Sequence, residues 1–271
     1  MPDVGLTAAY GPDGQIADLT LPDLGIGGSF EAASRGDLGT GLHCRVCPSP
    51  VRASVTARGH RHFAHPPGSG CPLAADSTEY LELAAALARH SRACGWRTEL
   101  EHSGPDWFAD VLSTAADGRR IAWMIQLDRQ TPEQAAHRAR RYRGDDVECV
   151  WIAVGDDDAD WHRPHGALVV TPVHPGTGSR GWTVTAGCRK HRVTTEEGVE
   201  RGTWSDVDRP IELDAIARSI LRGQLVPYPQ QRYGGLPWWW VRADERAHAH
   251  RIGTDVQDVR AEPTRSPGLS R

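Results

Sequence analysis

Apolar and polar positions along the chain predict alternating helices and strands in its middle third. Across residues 76–93 the apolar residues Leu81, Leu83, Ala84, Leu87 and Ala88 recur at the spacing of one helix face. Asp76 and Glu79 stand where a capping box opens such a helix, and Gly95 where its C-terminal cap belongs. Three strands follow, over 98–102, 107–112 and 121–127, parted by the turn signals Ser103-Gly104-Pro105-Asp106 and Asp117-Gly118. A second helix starts at Thr131 as N-cap, with Pro132 at its first position and Gln134 closing a capping box, and ends at Gly144. The segment 147–154 is nearly all apolar, as a central strand covered on both faces should be. Helix, three strands, helix, strand is a meander followed by a helical crossover, which is an α/β layer design.

The flanks read differently. Residues 1–40 carry short strand-like pieces broken by glycines and prolines, and residues 41–75 are rich in cysteine and histidine. The helix-strand-helix core spans 76–156. An accessory extension, 157–241, leans towards strands near 167–170 and 182–185 and holds one amphipathic helix over 211–222. The polar segment 242–271 is expected to be a disordered tail. No run of about 18 apolar residues occurs, so no membrane contact is expected. Met1-Pro2-Asp3-Val4 lacks the basic-then-apolar order of a signal peptide, and the expected compartment is cytoplasmic.

A formal net charge of −4 argues against coating nucleic acid by bulk charge, so any DNA contact must come from a local patch. Arg138, Arg140, Arg141 and Arg143 crowd the second helix, and Arg138 and Arg141 are one turn apart. Such a stripe is either a solvated helix face or a set of phosphate contacts that position DNA without reading its sequence. The run Trp238-Trp239-Trp240 reads as packing or as a surface for a protein partner. Lys190 is the one lysine among 31 basic residues, which bears on the chemistry below.

Cys44 and Cys47 form a CxxC pair whose spacing lets two thiolates converge on one ion. His62, His65 and Cys71 follow, and two of these complete a tetrahedral zinc (Zn2+) site. Pro48 and Pro50 speak against the strand-then-helix setting of a redox CxxC. Four protein ligands leave no position for water, so the site is expected to be structural. Cys94 and Cys149 read as inert thiols.

The order Cys44-x-x-Cys47, Arg61-His62-Phe63-Ala64-His65, Cys71 resembles the N-terminal zinc motif of the competence protein CoiA-like family. Ser77-Thr78-Glu79, Ala109-Asp110-Val111-Leu112, Gln126, Arg138-x-x-x-Tyr142 and Val150-Trp151 resemble later blocks of that family in the same order. The resemblance runs from about residue 20 to about residue 225 and rests on colinearity. It implies Cys44, Cys47, His65 and Cys71 as zinc ligands, with His62 as alternate. It also implies a restriction-endonuclease-like PD-(D/E)XK core of αβββαβ order, with an N-terminal zinc knuckle and a C-terminal β-rich extension. In such a core, catalysis would fall on Glu79, Asp110, the residue at 124, and Gln126.

Position 124 departs from that pattern. Phosphodiester hydrolysis in this kind of site needs Mg2+, a hard cation that prefers carboxylate oxygens. By strand alternation Asp110 shares a face with Phe108 and Leu112, and Met124 shares one with Gln126. A thioether is a poor Mg2+ ligand, so one carboxylate is missing. Asp128 would compensate if the third strand continued that far. Gln126 can orient a water or a phosphate but cannot take a proton at neutral pH. Three readings follow: a DNA-binding protein on a nuclease scaffold with a decayed centre, an active Mg2+-dependent nuclease using Glu79, Asp110, Asp128 and Gln126, or a zinc-knuckle interaction module.

Overall fold

The computed structural model describes residues 5–11, 13–38, 41–47, 49–56, 59–71, 78–127, 130–155, 166–173, 181–229 and 237–253. It is a mixed α/β protein with five helices and several sheets among those residues. The N-terminal part is one antiparallel sheet built from β1 (Gly5–Leu6), β2 (Ala8–Tyr10), β3 (Ile16–Asp18), β4 (Leu42–His43), β5 (Pro50–Val55) and β6 (Arg61–Ala64). Helix α1 (Phe30–Arg35) covers it, held by Ser29 as N-cap and by Gly36, whose φ of 80° closes the C-terminus. The described residues of 5–38 and of the Cys/His segment therefore share a single sheet and a single small core around Leu6, Leu24, Phe30 and Phe63.

The middle third follows the order read from the pattern: α2 (Thr78–Ala93), β7 (Arg97–Ser103), β8 (Phe108–Thr114), β9 (Arg120–Gln126), α3 (Pro132–Gly144) and β10 (Val147–Val154). Strands β7, β8 and β9 form an antiparallel meander, and α3 crosses over so that β10 pairs parallel to β9. The sheet then grows through β11 (Leu168–Pro172), β12 (Trp182–Ala186) and β15 (Ile211–Glu212) to seven strands, ordered β15-β12-β11-β10-β9-β8-β7. Helices α2 and α4 (Leu213–Leu221) bury Leu83, Leu87, Ile216 and Ile220 against Trp123 and Ile152 on one face. Helix α3 buries Ala135 and Tyr142 against Leu112, Met124 and Trp151 on the other. Both faces being covered explains the continuous apolar run of β10.

Helix ends follow their local chemistry. The expected Gly95 cap has φ 82°, with Trp96 N–H on Ser91 O and Gly95 N–H on Arg92 O, the paired bonds of a Schellman motif. The Thr131–Gln134 capping box opens α3 with both reciprocal bonds, at 2.9 and 3.2 Å. Asp76, half of the other expected box, lies outside the described residues.

Two readings of the C-terminal part are corrected. The 211–222 helix starts two residues late, because Ile211 and Glu212 pair with Val184 and Thr183 at the open edge of β12. The segment expected to be a disordered tail begins instead with helix α5 (Ala243–Arg251), where Ala249 is fully buried and Glu245 accepts the His191 N–H at 3.0 Å. Residues 254–271 lie outside the described residues. Helix α5 packs on two hairpins, β13 (Arg189–Glu196) with β14 (Val199–Asp206) and β16 (Leu225–Pro229) with β17 (Pro237–Arg242). No helix among the described residues is long and apolar enough to cross a membrane.

Candidate functional site

The Cys/His segment converges. Cys44 and Cys47 lie on the turn after β4, His65 directly follows β6, and Cys71 closes the group, with all four ligand atoms within 4.8 Å of one another. The Cys44 and Cys71 sulfurs are 3.8 Å apart, and the Cys47 sulfur is 3.4 Å from His65 Nε2. Tetrahedral zinc with Zn–S of about 2.3 Å and Zn–N of about 2.05 Å sets those spacings near 3.8 and 3.6 Å. The residues therefore fit a structural zinc ion. The Val46 and Cys47 N–H groups point at Cys44 Sγ at 3.3 and 3.4 Å. A hydrogen bond from Ser49 brings the Cys47 thiol down to about 6.

His62 is not a ligand. It lies on β6, two residues before His65's neighbour Ala64 ends the strand, and is buried at 1% exposure with Nδ1 3.4 Å from His60 O. His65 follows beyond the strand and turns towards the metal loop, so the two histidines serve different surroundings. Far from this group, burial pushes the Cys149 thiol far up and the Cys188 thiol up to about 12, so both are inert at neutral pH.

The second group sits where β8 and β9 part. Their ladder runs from Thr114–Arg120 to Val111–Trp123. Beyond that pair the ladder ends, and the Asp110 carboxylate takes its place. Its Oδ2 accepts the Ile125 N–H at 2.6 Å, and its Oδ1 accepts the Tyr80 hydroxyl from the first turn of α2 at 3.2 Å. Burial raises the Asp110 carboxyl to about 7, against the opposing pull of the Ile125 N–H, the Arg138 charge and the Tyr80 hydroxyl.

Around Asp110 the candidate residues divide. Glu79, half-buried, is in the α2 turn that delivers Tyr80. Its face-mate Glu82 is occupied by His60 Nε2 at 2.6 Å. Gln126 accepts from Arg138 Nη1 at 3.1 Å. Met124 is closed in, 1% exposed, with the Tyr142 hydroxyl 3.0 Å from its sulfur. Strand β9 stops at Gln126, so the condition that would bring Asp128 onto this face is not met; Asp128 itself lies outside the described residues.

The arginine stripe also divides. Arg138 turns inward: its guanidinium lies 4.7 Å above the Trp151 ring and donates to Gln126 and, at 3.3 Å, to Gln130. Arg140, Arg141 and Arg143 are exposed, and Arg141 donates to Asp106 O at 3.0 Å. Arg138 and Arg141 are therefore set differently: Trp151 on the adjacent strand holds the first, half-buried, and the second is exposed. Trp239 and Trp240 of the tryptophan run are packed rather than displayed. Trp239 stacks on Tyr228 at 5.2 Å, and Trp240 donates to Gly166 O at 2.8 Å; the Trp238 side chain is outside the described residues.

Sequence reasoning missed Tyr80 and Glu101. Tyr80 lies just before the apolar face read for α2, and only its hydroxyl reaches the carboxylate. Glu101 on β7 is 1% exposed with a φ of 50°, and the flanking pairs Leu100–Val111 and His102–Ala109 place it opposite Asp110. The strand itself, Arg97–Ser103, is mostly polar and also holds Glu99, so no local signal singled out Glu101. Comparison with family models, curated proteins and solved structures gives no match to this chain.

Proposed function

We propose that this chain is a DNA-binding protein of the CoiA-like kind, built on a PD-(D/E)XK-type scaffold whose phosphodiester-cleaving centre has decayed. The helix, meander, crossover helix and parallel strand order supports the scaffold, and the Cys3His group supports the zinc knuckle. One observation carries the loss of chemistry. The buried Asp110 spends its two oxygens on Ile125 N–H and Tyr80, while Met124 occupies the place of a second acid. Mg2+ is held by hard oxygens and lowers the pKa of an attacking water when so held. A lone carboxylate already bonded to protein donors holds it weakly. Gln126, fixed by Arg138, can bind a phosphate oxygen but not take a proton.

A nuclease using Glu79, Asp110, Gln126 and Asp128 is the second reading, favoured by Glu79 standing next in sequence to Tyr80, whose hydroxyl reaches Asp110. DNA contact would run along the exposed Arg140, Arg141 and Arg143 of α3. Replacing Arg140 and Arg141 by glutamine should weaken binding of a short duplex similarly for all sequences. The dependence of log affinity on log salt should flatten by about one for each phosphate those arginines neutralise. An unchanged slope removes α3 as the DNA face. Cleavage of the same duplex by the natural chain with Mg2+, abolished by Asp110→Asn, would establish the second reading in place of the first.

A further inference from the structure

The metal loop and the Asp110 end of the main sheet meet at a seam that neither the zinc site nor the DNA reading uses. Arg45 stands between two of the zinc ligands, and its side chain leaves the knuckle for β7, where Nη1 donates to Leu100 O. Its guanidinium also lies 5.7 Å from the centre of the Tyr10 ring. The next residue of β7 is Glu101, whose Oε1 accepts both the N–H and the hydroxyl of Thr7 at 2.6 Å each. Thr7 belongs to the loop between β1 and β2, so Glu101 ties the N-terminal sheet to the edge of the main sheet.

Each of these two groups keeps one buried atom without a hydrogen-bond partner among the described residues: Arg45 Nε and Glu101 Oε2. Arg45 is cationic, burial works against ionisation of the Glu101 carboxyl, and the two lie at consecutive points of one strand edge with no bond between them in this structure. Leaving either buried and unpaired is costly. The left-handed backbone at Glu101, uncommon for a residue with a side chain, is the kind of local strain that persists only when its surroundings over-determine it. Glu101 stands opposite Asp110 across the β7–β8 ladder.

We infer that Arg45, bonded to Leu100 O, and Glu101, bonded to Thr7, are the link through which the Cys3His metal site and the Asp110 end of the main sheet set each other's geometry. Chelation of Cys44 and Cys47 fixes the loop and with it the aim of Arg45. Arg45 holds Leu100 and Glu101, and those residues fix the strand against which Asp110 is registered. In this link Arg45 and Glu101 are positioning residues; neither ligates the metal. The coupling needs no nucleic acid and stands apart from the DNA reading.

Coupling between two sites is reciprocal, so a change at Glu101 must be felt in zinc affinity. The test uses the full chain loaded with zinc, titrated against a chromophoric zinc chelator. Glu101→Gln keeps an oxygen for the two Thr7 donors and removes the carboxyl group. It should weaken zinc binding about tenfold, equal to about 1.4 kcal/mol. Arg45→Met should do the same, and the double variant should be no weaker than the weaker single, because both break one link. Arg97→Gln, on the same strand but exposed, should leave zinc affinity unchanged.

The reverse direction is read from the Ile125 amide, which Asp110 holds. Its NMR signal should shift when zinc is withdrawn from the natural chain and stay fixed when zinc is withdrawn from Arg45→Met. Unchanged zinc affinity in either single variant overturns the link. So do additive effects in the double variant, an equal weakening in Arg97→Gln, or an Ile125 shift that survives in Arg45→Met. Should Glu101→Gln fail to fold, the Arg45→Met measurements decide alone.

Discussion

Asp110 should lower the stability of the folded chain at neutral pH, and its replacement by asparagine should reveal by how much. In the unfolded chain an aspartate ionises near 3.8, whereas burial holds Asp110 protonated up to about 7. Between those values the native state binds a proton that the unfolded state has already released. Stability from this group is therefore fully present below about 3.8, falls as pH rises, and levels off above about 7. Three pH units at 1.36 kcal/mol each set a ceiling of about 4 kcal/mol. Asparagine keeps an oxygen for the Ile125 N–H, and its amide can face the Tyr80 oxygen, so the packing is preserved while the titration disappears. Urea unfolding of both chains, followed by tryptophan fluorescence, should show the gain from Asp110→Asn growing by about 2 kcal/mol between about pH 5.5 and about pH 8.5. Proton competition at the metal site is common to both chains and cancels in the difference. A stability difference that is flat across that range would show that Asp110 ionises normally despite its burial.

Elemental analysis should find one zinc per chain, and Cys47→Ser should lose it and loosen the β1–β6 sheet, because structural zinc contributes folding free energy directly; a folded, metal-free natural chain contradicts this. Met124→Glu should lower the unfolding free energy by about 3 kcal/mol, since it places a carboxylate in a closed apolar site beside Tyr142. An unaltered melting temperature for that variant would mean that position 124 opens to solvent or to a cation.

The elements of the middle third were legible because their signals are local. The Thr131–Gln134 box, the Gly95 cap and the apolar run of β10 each state their own structure within a few residues. The zinc group was legible for a related reason: thiolates and imidazole have few uses at such spacing, so Cys44 and Cys47 with two of His62, His65 and Cys71 declare a metal before any fold is known, and the fold brings His65 and Cys71 to it. Helix α5 was not legible, since its polar sequence has little apolar periodicity and its order comes from docking on two hairpins. Strand β15 was missed because an open edge at β12, invisible locally, outbid helix propensity for Ile211 and Glu212.

The candidate site divides along the same line. Sequence determined the residue types: one acid at Asp110, no acid at position 124, no lysine before Lys190, arginines along α3. Tertiary structure decided what those types face. It turned Arg138 onto Trp151 and Gln126, closed Met124 under Tyr142, and brought Tyr80 and the Ile125 N–H onto Asp110. Side-chain type follows from a single position, but burial, partners and the resulting pKa depend on segments far apart in the chain, and those distances exist only once the sheet is assembled.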